Sequence, residues 1–348
     1  MGLCLSKLSS ELPHSDSLNG GHESRAVFSD QRNSTNTHTR PHALFSLYSR
    51  RGTRPLNQDS AVLCQGFGMT EATVCAVFDG HGPNGHVVSE LVRNRLPLIL
   101  LNQRVVVNES SAVKMENIEF KLVPPNFDMD PKIWNEVITS SFEVMDAELE
   151  IPHKFDFSCS GTTAVVAIAQ GEDLIVANLG DSRAILGTIT ENNSGIESVQ
   201  LTTEHKPSVT REAERIRSCN GRVLGLKKEP ESKRVWLPNE YIPGLAMSRA
   251  LGDFVLKGHG VISVPDVSYR RLTPSDQFIV LATDGVWDML SNDEVAKVAW
   301  EAKNEEAAAK AVVKAARAAW KRRSRAPKID DCTVVCLFFH KKRFNSVL

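Results

Sequence analysis

Val74-Cys75-Ala76-Val77-Phe78-Asp79-Gly80-His81-Gly82 is the stretch on which the fold turns. Its five apolar residues have the length and branching of a β-strand, and they run straight into an aspartate followed by glycine. The pattern recurs. Residues 278–282 lead into Thr283-Asp284-Gly285, residues 174–179 lead into Gly180-Asp181, and Asp330-Asp331 opens the apolar run 332–339. A strand end is a rigid mount for a side chain, and an adjacent glycine lets the backbone turn or approach a ligand closely. Taken singly, each aspartate is also a good turn residue. Together they suggest a cluster, and converging carboxylates cannot all stay ionised without a compensating cation. Oxygen donors without His or Cys partners select magnesium, manganese or calcium over zinc.

Residues 164–169 form another run of strand length, and helical patterns lie between the strands. Residues 86–101 place Val88, Leu91, Val92, Leu96 and Ile99 on one stripe, with Pro97 expected to kink or fray the last turn. A second helix is predicted over 210–218, ending before Gly221. A third starts at a capping box of Ser291 and Glu294, breaks near Asn304 and runs on toward Lys321. Strands and helices do not alternate strictly, so a mixed α+β layered fold is predicted rather than a doubly wound parallel sheet. Residues 102–132 hold Pro124, Pro125 and Pro131 without a consistent period and read as an irregular insertion, and 190–198 as a hairpin loop. Residues 1–40 read as a polar, flexible leader, 41–340 as one catalytic domain and 341–348 as a short basic tail.

The balance of 41 Lys and Arg against 42 Asp and Glu leaves no global field to attract nucleic acid. Seven cysteines, an odd number without a Cys-x-x-Cys pair, indicate neither a disulfide framework nor a zinc site. Cys332 and Cys336 are expected on one strand face as core thiols. No stretch approaches the ~20 apolar residues of a membrane span.

In their longer contexts these motifs resemble the type 2C family of metal-dependent protein phosphatases. The matching segments are Gly52-Thr53-Arg54-Pro55-Leu56-Asn57-Gln58-Asp59, Phe78-Asp79-Gly80-His81-Gly82, Ser160-Gly161-Thr162-Thr163 and Ala177-Asn178-Leu179-Gly180-Asp181-Ser182-Arg183. They continue with Leu245-Ala246-Met247-Ser248-Arg249-Ala250-Leu251-Gly252-Asp253, Ala282-Thr283-Asp284-Gly285-Val286-Trp287-Asp288 and Asp330-Asp331-Cys332-Thr333. The Asn-Gln-Asp form and Val235-Trp236-Leu237-Pro238 are most similar to plant members.

The resemblance implies a four-layer α/β/β/α sandwich with two mainly antiparallel sheets, acting as a monomer on phosphoserine and phosphothreonine in proteins. It also implies two divalent cations, Mg2+ or Mn2+. Asp79 matches the bridging carboxylate, the Gly80 carbonyl a ligand of one cation, Asp284 and Asp330 ligands of the other, and Asp59 an acid holding bound water. The alignment leaves Asp331 as an alternative to Asp330. Asp181 and Asp288 match positions linked to a weaker third cation. Arg54 matches the phosphate-binding arginine, and His81 the acid that protonates the leaving oxygen. Gln58 departs from relatives with glutamate there, and its amide is expected to hydrogen-bond a metal water. Substrate choice is expected to rest on surface loops 102–132 and 226–244, and Trp236 on packing or substrate contact.

Other phosphatase chemistries lack their signatures. No cysteine has an arginine six positions on, Asp128-Met129-Asp130-Pro131 lacks the Thr or Val of an aspartyl nucleophile pair, and no Gly-x-Ser-x-Gly elbow occurs. A phosphatase-like scaffold without activity would be expected to have lost metal positions. A metal-dependent nuclease would need a basic surface. Finally, Met1-Gly2-Leu3-Cys4-Leu5-Ser6-Lys7 satisfies the pattern for N-myristoylation at Gly2. Palmitoylation of Cys4 would add the second signal that stable anchoring needs. The expected location is the plasma membrane, with cytosolic and nuclear pools of unmodified enzyme.

Overall fold

The computed structural model describes residues 27–29, 44–69, 72–113, 129–152, 154–190, 195–323 and 328–340. Two sheets dominate. The first runs Val27–Ser29, Asp59–Gln65, Thr73–His81, Ala164–Gln170, Asp173–Leu179 and Asp266–Arg271 from edge to edge. The second runs Phe45–Arg50, Cys332–Phe338, Asp276–Ala282, Arg183–Ile189 and Ile196–Gln200. Pairing is antiparallel throughout, except where Val27–Ser29 lies parallel to residues 63–65.

Strand alternation sorts the apolar side chains into layers. Cys75 and Val77 of the first sheet share a core with Ile279, Leu281, Val335 and Leu337 of the second. Val74, Ala76 and Phe78 point the other way, into a core shared with the helices Gly85–Val113 and Pro131–Glu150. Phe278, Val280, Val334 and Cys336 pack with the helices Asn292–Glu301 and Ala308–Arg323. Central strands are thus apolar on both faces, which is why they read as unbroken hydrophobic runs rather than alternating ones. The result is the expected α/β/β/α sandwich. Cys332 and Cys336 do share a face, both fully buried.

Several local expectations hold. The helix Thr210–Ser218 keeps its predicted bounds, the Ser291–Glu294 capping box forms, and Asn304 caps the turn Glu305–Ala307 that separates the last two helices. Others are corrected. The first long helix passes through Pro97 and ends at Val113. Buried Leu96, Ile99 and Leu100 on either side of the proline anchor it in the core, so tertiary burial outweighs the missing N–H. Residues 102–113 are therefore helical, residues 129–132 begin the next helix with Asp130 as its cap and Pro131 at the first turn, and 114–128 lie outside the described residues. Within the leader, Val27–Ser29 forms a strand. The hairpin loop is shorter than expected, since Ile196–Gln200 is already strand.

Residues 226–244 are largely not loop either. Arg222–Leu226, Glu229–Trp236 and Pro243–Leu245 form a three-stranded antiparallel sheet. With the helix Thr210–Ser218 it encloses a small core of Ala213, Ile216, Val235, Leu245 and Leu256. The outer half of this hairpin is charged and exposed on both faces, so the alternation that reveals a strand is missing from its sequence. Trp236 is 6% exposed, donates from Nε1 to the Leu224 carbonyl at 3.0 Å and meets Tyr241 edge-on, a packing role. Fully buried Glu212 accepts from Arg249, Arg215 and Ser248, and Arg249 also reaches Asp266, tying this unit to the first sheet.

Phe278 sits where the second sheet meets its helices, stacked on Trp300 and tilted against Phe338, with its ring over Gly187 where any Cβ would collide. Phe278→Ala should cost about 3–5 kcal/mol through the cavity it leaves, and Phe278→Leu well under that. Urea unfolding followed by tryptophan fluorescence checks this; equal losses for both would show that the site collapses freely.

Candidate active site

The register of the first sheet sets Asp59 directly opposite Asp79. Both lie in alternation with residues that face between the sheets, Ala61 and Leu63 on one strand, Cys75 and Val77 on the other. Their carboxylates therefore enter one end of the sandwich from the first sheet. The strand does not stop at Phe78. It continues through Gly80 and His81 because these pair with Thr162 and Gly161. From the second sheet, Thr283 Oγ1 donates to Asp59 Oδ2 at 2.8 Å. Asp284 then opens the short helix Asp284–Trp287, and its charge is the first among those that act on Asp79. Asp330 and Asp331 complete the rim just ahead of Cys332–Phe338.

Like charges directly opposite on paired strands destabilise a sheet. The titration behaviour records that cost. Burial, then the charges of Asp284, Asp59, Asp330 and Asp181, hold Asp79 well above the usual carboxylate range. Burial, then Asp181 and Asp330, do the same to Asp284. Asp59 is pushed up to about 8, by burial first and the Asp331 charge second, against the hydrogen bonds from Thr333 and Thr283. Asp181 is 4% exposed, rises to about 6 through burial, and leaves Oδ1 without a hydrogen-bond partner. Asp288 is exposed, and it too is raised.

The two neighbouring aspartates have different jobs. Asp331 is 3% exposed and accepts from the backbone N–H groups of Gly52, at 2.6 Å, and Gln58, at 2.8 Å, so both oxygens are spent on holding the Arg54 loop. Asp330 is free of such bonds to that loop and lies 3.5 Å from Arg54 Nη2. Arg54 is about half exposed. Burial lowers its pKa, but the facing carboxylates, Asp330 first, outweigh this and keep it charged. The Gln58 side chain is also committed: Nε2 donates to the Gly82 carbonyl at 2.7 Å and Oε1 accepts from Arg54 Nη1 at 3.0 Å. It braces the arginine and the His81 turn.

His81 Nε2 lies 2.5 Å from Asp253 Oδ2. Burial lowers the imidazole pKa, but the Asp253 carboxylate and its hydrogen bond prevail and the net shift is upward. Asp253 is the partner that sequence reasoning missed. It stood inside a quoted motif, and nothing local marks it as the neighbour of a residue 172 positions away.

The constellation suits small hard cations. Five carboxylates repel one another with one arginine among them, and their donors are all oxygen. Among the described residues no three acidic, histidine or cysteine side chains form a closed cage for a single ion.

The matches to known proteins agree with the geometry. The sequence profile described as "Protein phosphatase 2C" matches residues 43–325. The chain is 54% identical over 86% of its length to "Probable protein phosphatase 2C 72" of Arabidopsis thaliana, of which 87% is covered. It is 46% identical over 85% of its length to "Probable protein phosphatase 2C 12" of Oryza sativa subsp. japonica, of which 81% is covered. The crystal structure of serine-threonine phosphatase 2C from Toxoplasma gondii superposes with a TM-score of 0.70 at 26% identity, over 85% of this chain and 94% of that one. A sandwich whose acidic end is built from the motifs of these relatives leaves one assignment: the chain belongs to the protein phosphatase 2C family of metal-dependent protein serine/threonine phosphatases, hydrolases that act on phosphoproteins.

Proposed function

We propose that the acidic end of the sandwich is the catalytic centre and that it takes two magnesium or manganese ions, with Asp79 shared between them. The Gly80 carbonyl serves one ion, Asp284 and Asp330 the other, and Asp59 holds water of hydration. Asp181, with its unpartnered oxygen, and Asp288 serve a weaker third ion. The observation that carries this reading is the facing pair Asp59 and Asp79 with the Asp284 charge bearing on it, an arrangement that calls for positive charge. When bound, two such cations lower the pKa of an attacking water and offset charge on the phosphoryl group. Arg54, braced by Gln58 and drawn toward the carboxylates, presents the rest of its planar fork to phosphoryl oxygens. His81 gives a proton to the departing seryl or threonyl oxygen.

Activity on phosphothreonine peptide should need added magnesium or manganese and vanish in EDTA. Asp79→Asn and Asp284→Asn should each cut turnover to background. Because each removes a repelled charge, the metal-free variants should melt no lower than wild type. Full turnover in EDTA, or in either variant, would show that the site lies elsewhere.

The sign of the pH dependence follows from the raised carboxylates. Unfolded Asp ionises near ~3.9, whereas folded Asp181 and Asp59 hold their protons to about 6 and about 8. Between those limits the folded, metal-free chain binds more protons than the unfolded one, so its stability falls as pH rises. Melting temperature in EDTA should drop from pH 5 to pH 8, and saturating magnesium should restore it most at pH 8. A flat profile in EDTA would mean that the carboxylates do not repel one another.

We also propose a lipid anchor at Gly2 and Cys4, which lie outside the described residues. Its support is the motif alone. Among the described residues no helix is long and apolar enough to cross a membrane. A carboxy-terminal fluorescent fusion should mark the plasma membrane, Gly2→Ala should release it, and Cys4→Ser should weaken retention. An unchanged distribution in Gly2→Ala would refute the anchor.

A further inference from the structure

The helix Ala308–Arg323 carries six basic residues and no acidic one, in a chain whose charges almost cancel overall. Its buried side, from Ala308 to Ala316, packs on the second sheet. Lys310, Lys314, Arg317 and Lys321 recur at spacings of four, three and four, so they form one stripe turned away from that core. The three lysines are exposed and Arg317 is partly buried. Basic residues in a last turn suit the helix dipole, which accounts for Lys321 but not for Lys310 and Lys314 in the first half. The stripe follows the edge strand Phe45–Arg50. Lys310 Nζ stands 5.1 Å from the centre of the Tyr48 ring, and Arg317 Nη1 donates to the Arg51 carbonyl at 2.7 Å. Exposed Arg50 and Arg51 extend the charge, and Arg51 donates to the Pro55 carbonyl inside the loop that carries Arg54. The same end of the helix is fixed to the acidic rim. Trp320 Nε1 donates to the Gly285 carbonyl at 2.7 Å, and Arg323 Nη1 to the Asp288 carbonyl at 3.0 Å. Of the two acids in the preceding turn, Glu305 is buried and Glu306 lies at the end remote from Arg54.

Resting on the reading of Arg54 as the phosphate-binding residue, we propose that this stripe is a docking track for the acidic flank of a phosphoprotein substrate, a segment with Asp, Glu or further phosphates on one side of the residue hydrolysed. With one phosphate at Arg54, the flank meets Arg51, Arg317 and Lys321 first and Lys314 beyond them. From Lys310 to Lys321 the stripe runs about 16 Å, the span of about five residues of extended peptide. Guanidinium and ammonium groups attract carboxylates and phosphates without a fixed backbone register, so the track selects charge rather than sequence. Exposed charges act chiefly on encounter and are screened by salt. The selectivity therefore belongs in kcat/KM at low ionic strength and fades as salt is added. An anionic membrane is the other occupant that a basic face could take. Lying here it would close over the Arg54 loop that substrate must reach, which favours the substrate.

The test uses the full, unacylated chain with saturating manganese and phosphothreonine peptides of one length and one core. They differ only in a run of glutamates or of lysines, placed before or after the phosphothreonine. On one of the two sides wild type should favour the glutamate peptide over its lysine counterpart by about tenfold in kcat/KM, and about 0.3 M KCl should remove most of that ratio. Lys314→Glu/Lys321→Glu should bring the ratio to about one or below. Lys297→Glu/Lys303→Glu, the same change of charge on the helix Asn292–Glu301 and the loop after it, should leave the ratio as in wild type. Each ratio compares two substrates on one enzyme, so a general loss of stability or turnover does not move it. A wild-type ratio near one on both sides, or a preference that survives in Lys314→Glu/Lys321→Glu, would overturn the track while leaving the phosphatase site intact. No turnover of any peptide would overturn the reading of the site on which the track rests. Phosphatidylserine vesicles supply the remaining arm: sedimentation of wild type but not of Lys314→Glu/Lys321→Glu, without any preference among peptides, would give the stripe to a lipid surface and end the proposal. Should the charge reversal fail to fold, Lys314→Gln/Lys321→Gln carries the same comparison, with a ratio well below that of wild type expected.

Discussion

Carboxylates of paired strands stand face to face at one end of this sandwich, and the rest of the site is organised around their repulsion. Asp59 and Asp79 are cross-strand partners, Asp284 reaches Asp79 from the other sheet, and burial strengthens every unfavourable term among them. Such an arrangement is costly in a protein that folds without cations and well placed in one that binds them, because the charge that destabilises the empty site is what draws the ions in. Marginal global stability can bear this cost only because the layers behind it are well packed. The inter-sheet core ends in these acids, and helices cover both outer faces.

Much of what looks like catalytic sequence turns out to be the frame around that charge. Asp331 spends both oxygens on the backbone of the Arg54 loop. Thr163 and Ser182, from two different motifs, hydrogen-bond to each other at 2.8 Å, and the Asp79 N–H donates to Thr163 Oγ1. Arg183 stacks over Trp287 of a third motif and pairs with Glu204. Ser248 and Arg249 serve the buried Glu212 rather than substrate. A buried acid with several charge-assisted hydrogen bonds fixes geometry more than it adds net stability. Here it locks the small three-stranded unit to the first sheet.

His81 links this frame to chemistry. The motif that carries Arg249 also carries Asp253, so one loop both ties down the small unit and orients the ring beside the acidic cluster. The orientation is built from backbone: a left-handed aspartate, a glycine where no side chain fits, and two N–H groups with fixed acceptors.

The sequence by itself determined the strands, the caps and the list of acids, because each rests on local rules. An apolar run of strand length, a serine three residues before a glutamate, and an aspartate beside a glycine mean nearly the same thing wherever they occur. Family likeness of the motifs added their roles. What only the tertiary structure decided depends on contacts between distant residues or on burial overriding local preference. Pro97 stays inside a helix because its neighbours are buried, and an exposed, charged hairpin at 229–234 is a strand without alternation. Between two adjacent aspartates, Asp331 is consumed by backbone N–H groups some 270 positions earlier in the chain, which leaves Asp330 to face Arg54. The partnership of His81 and Asp253 belongs to the same class, since no local pattern encodes a hydrogen bond made by folding two loops against each other.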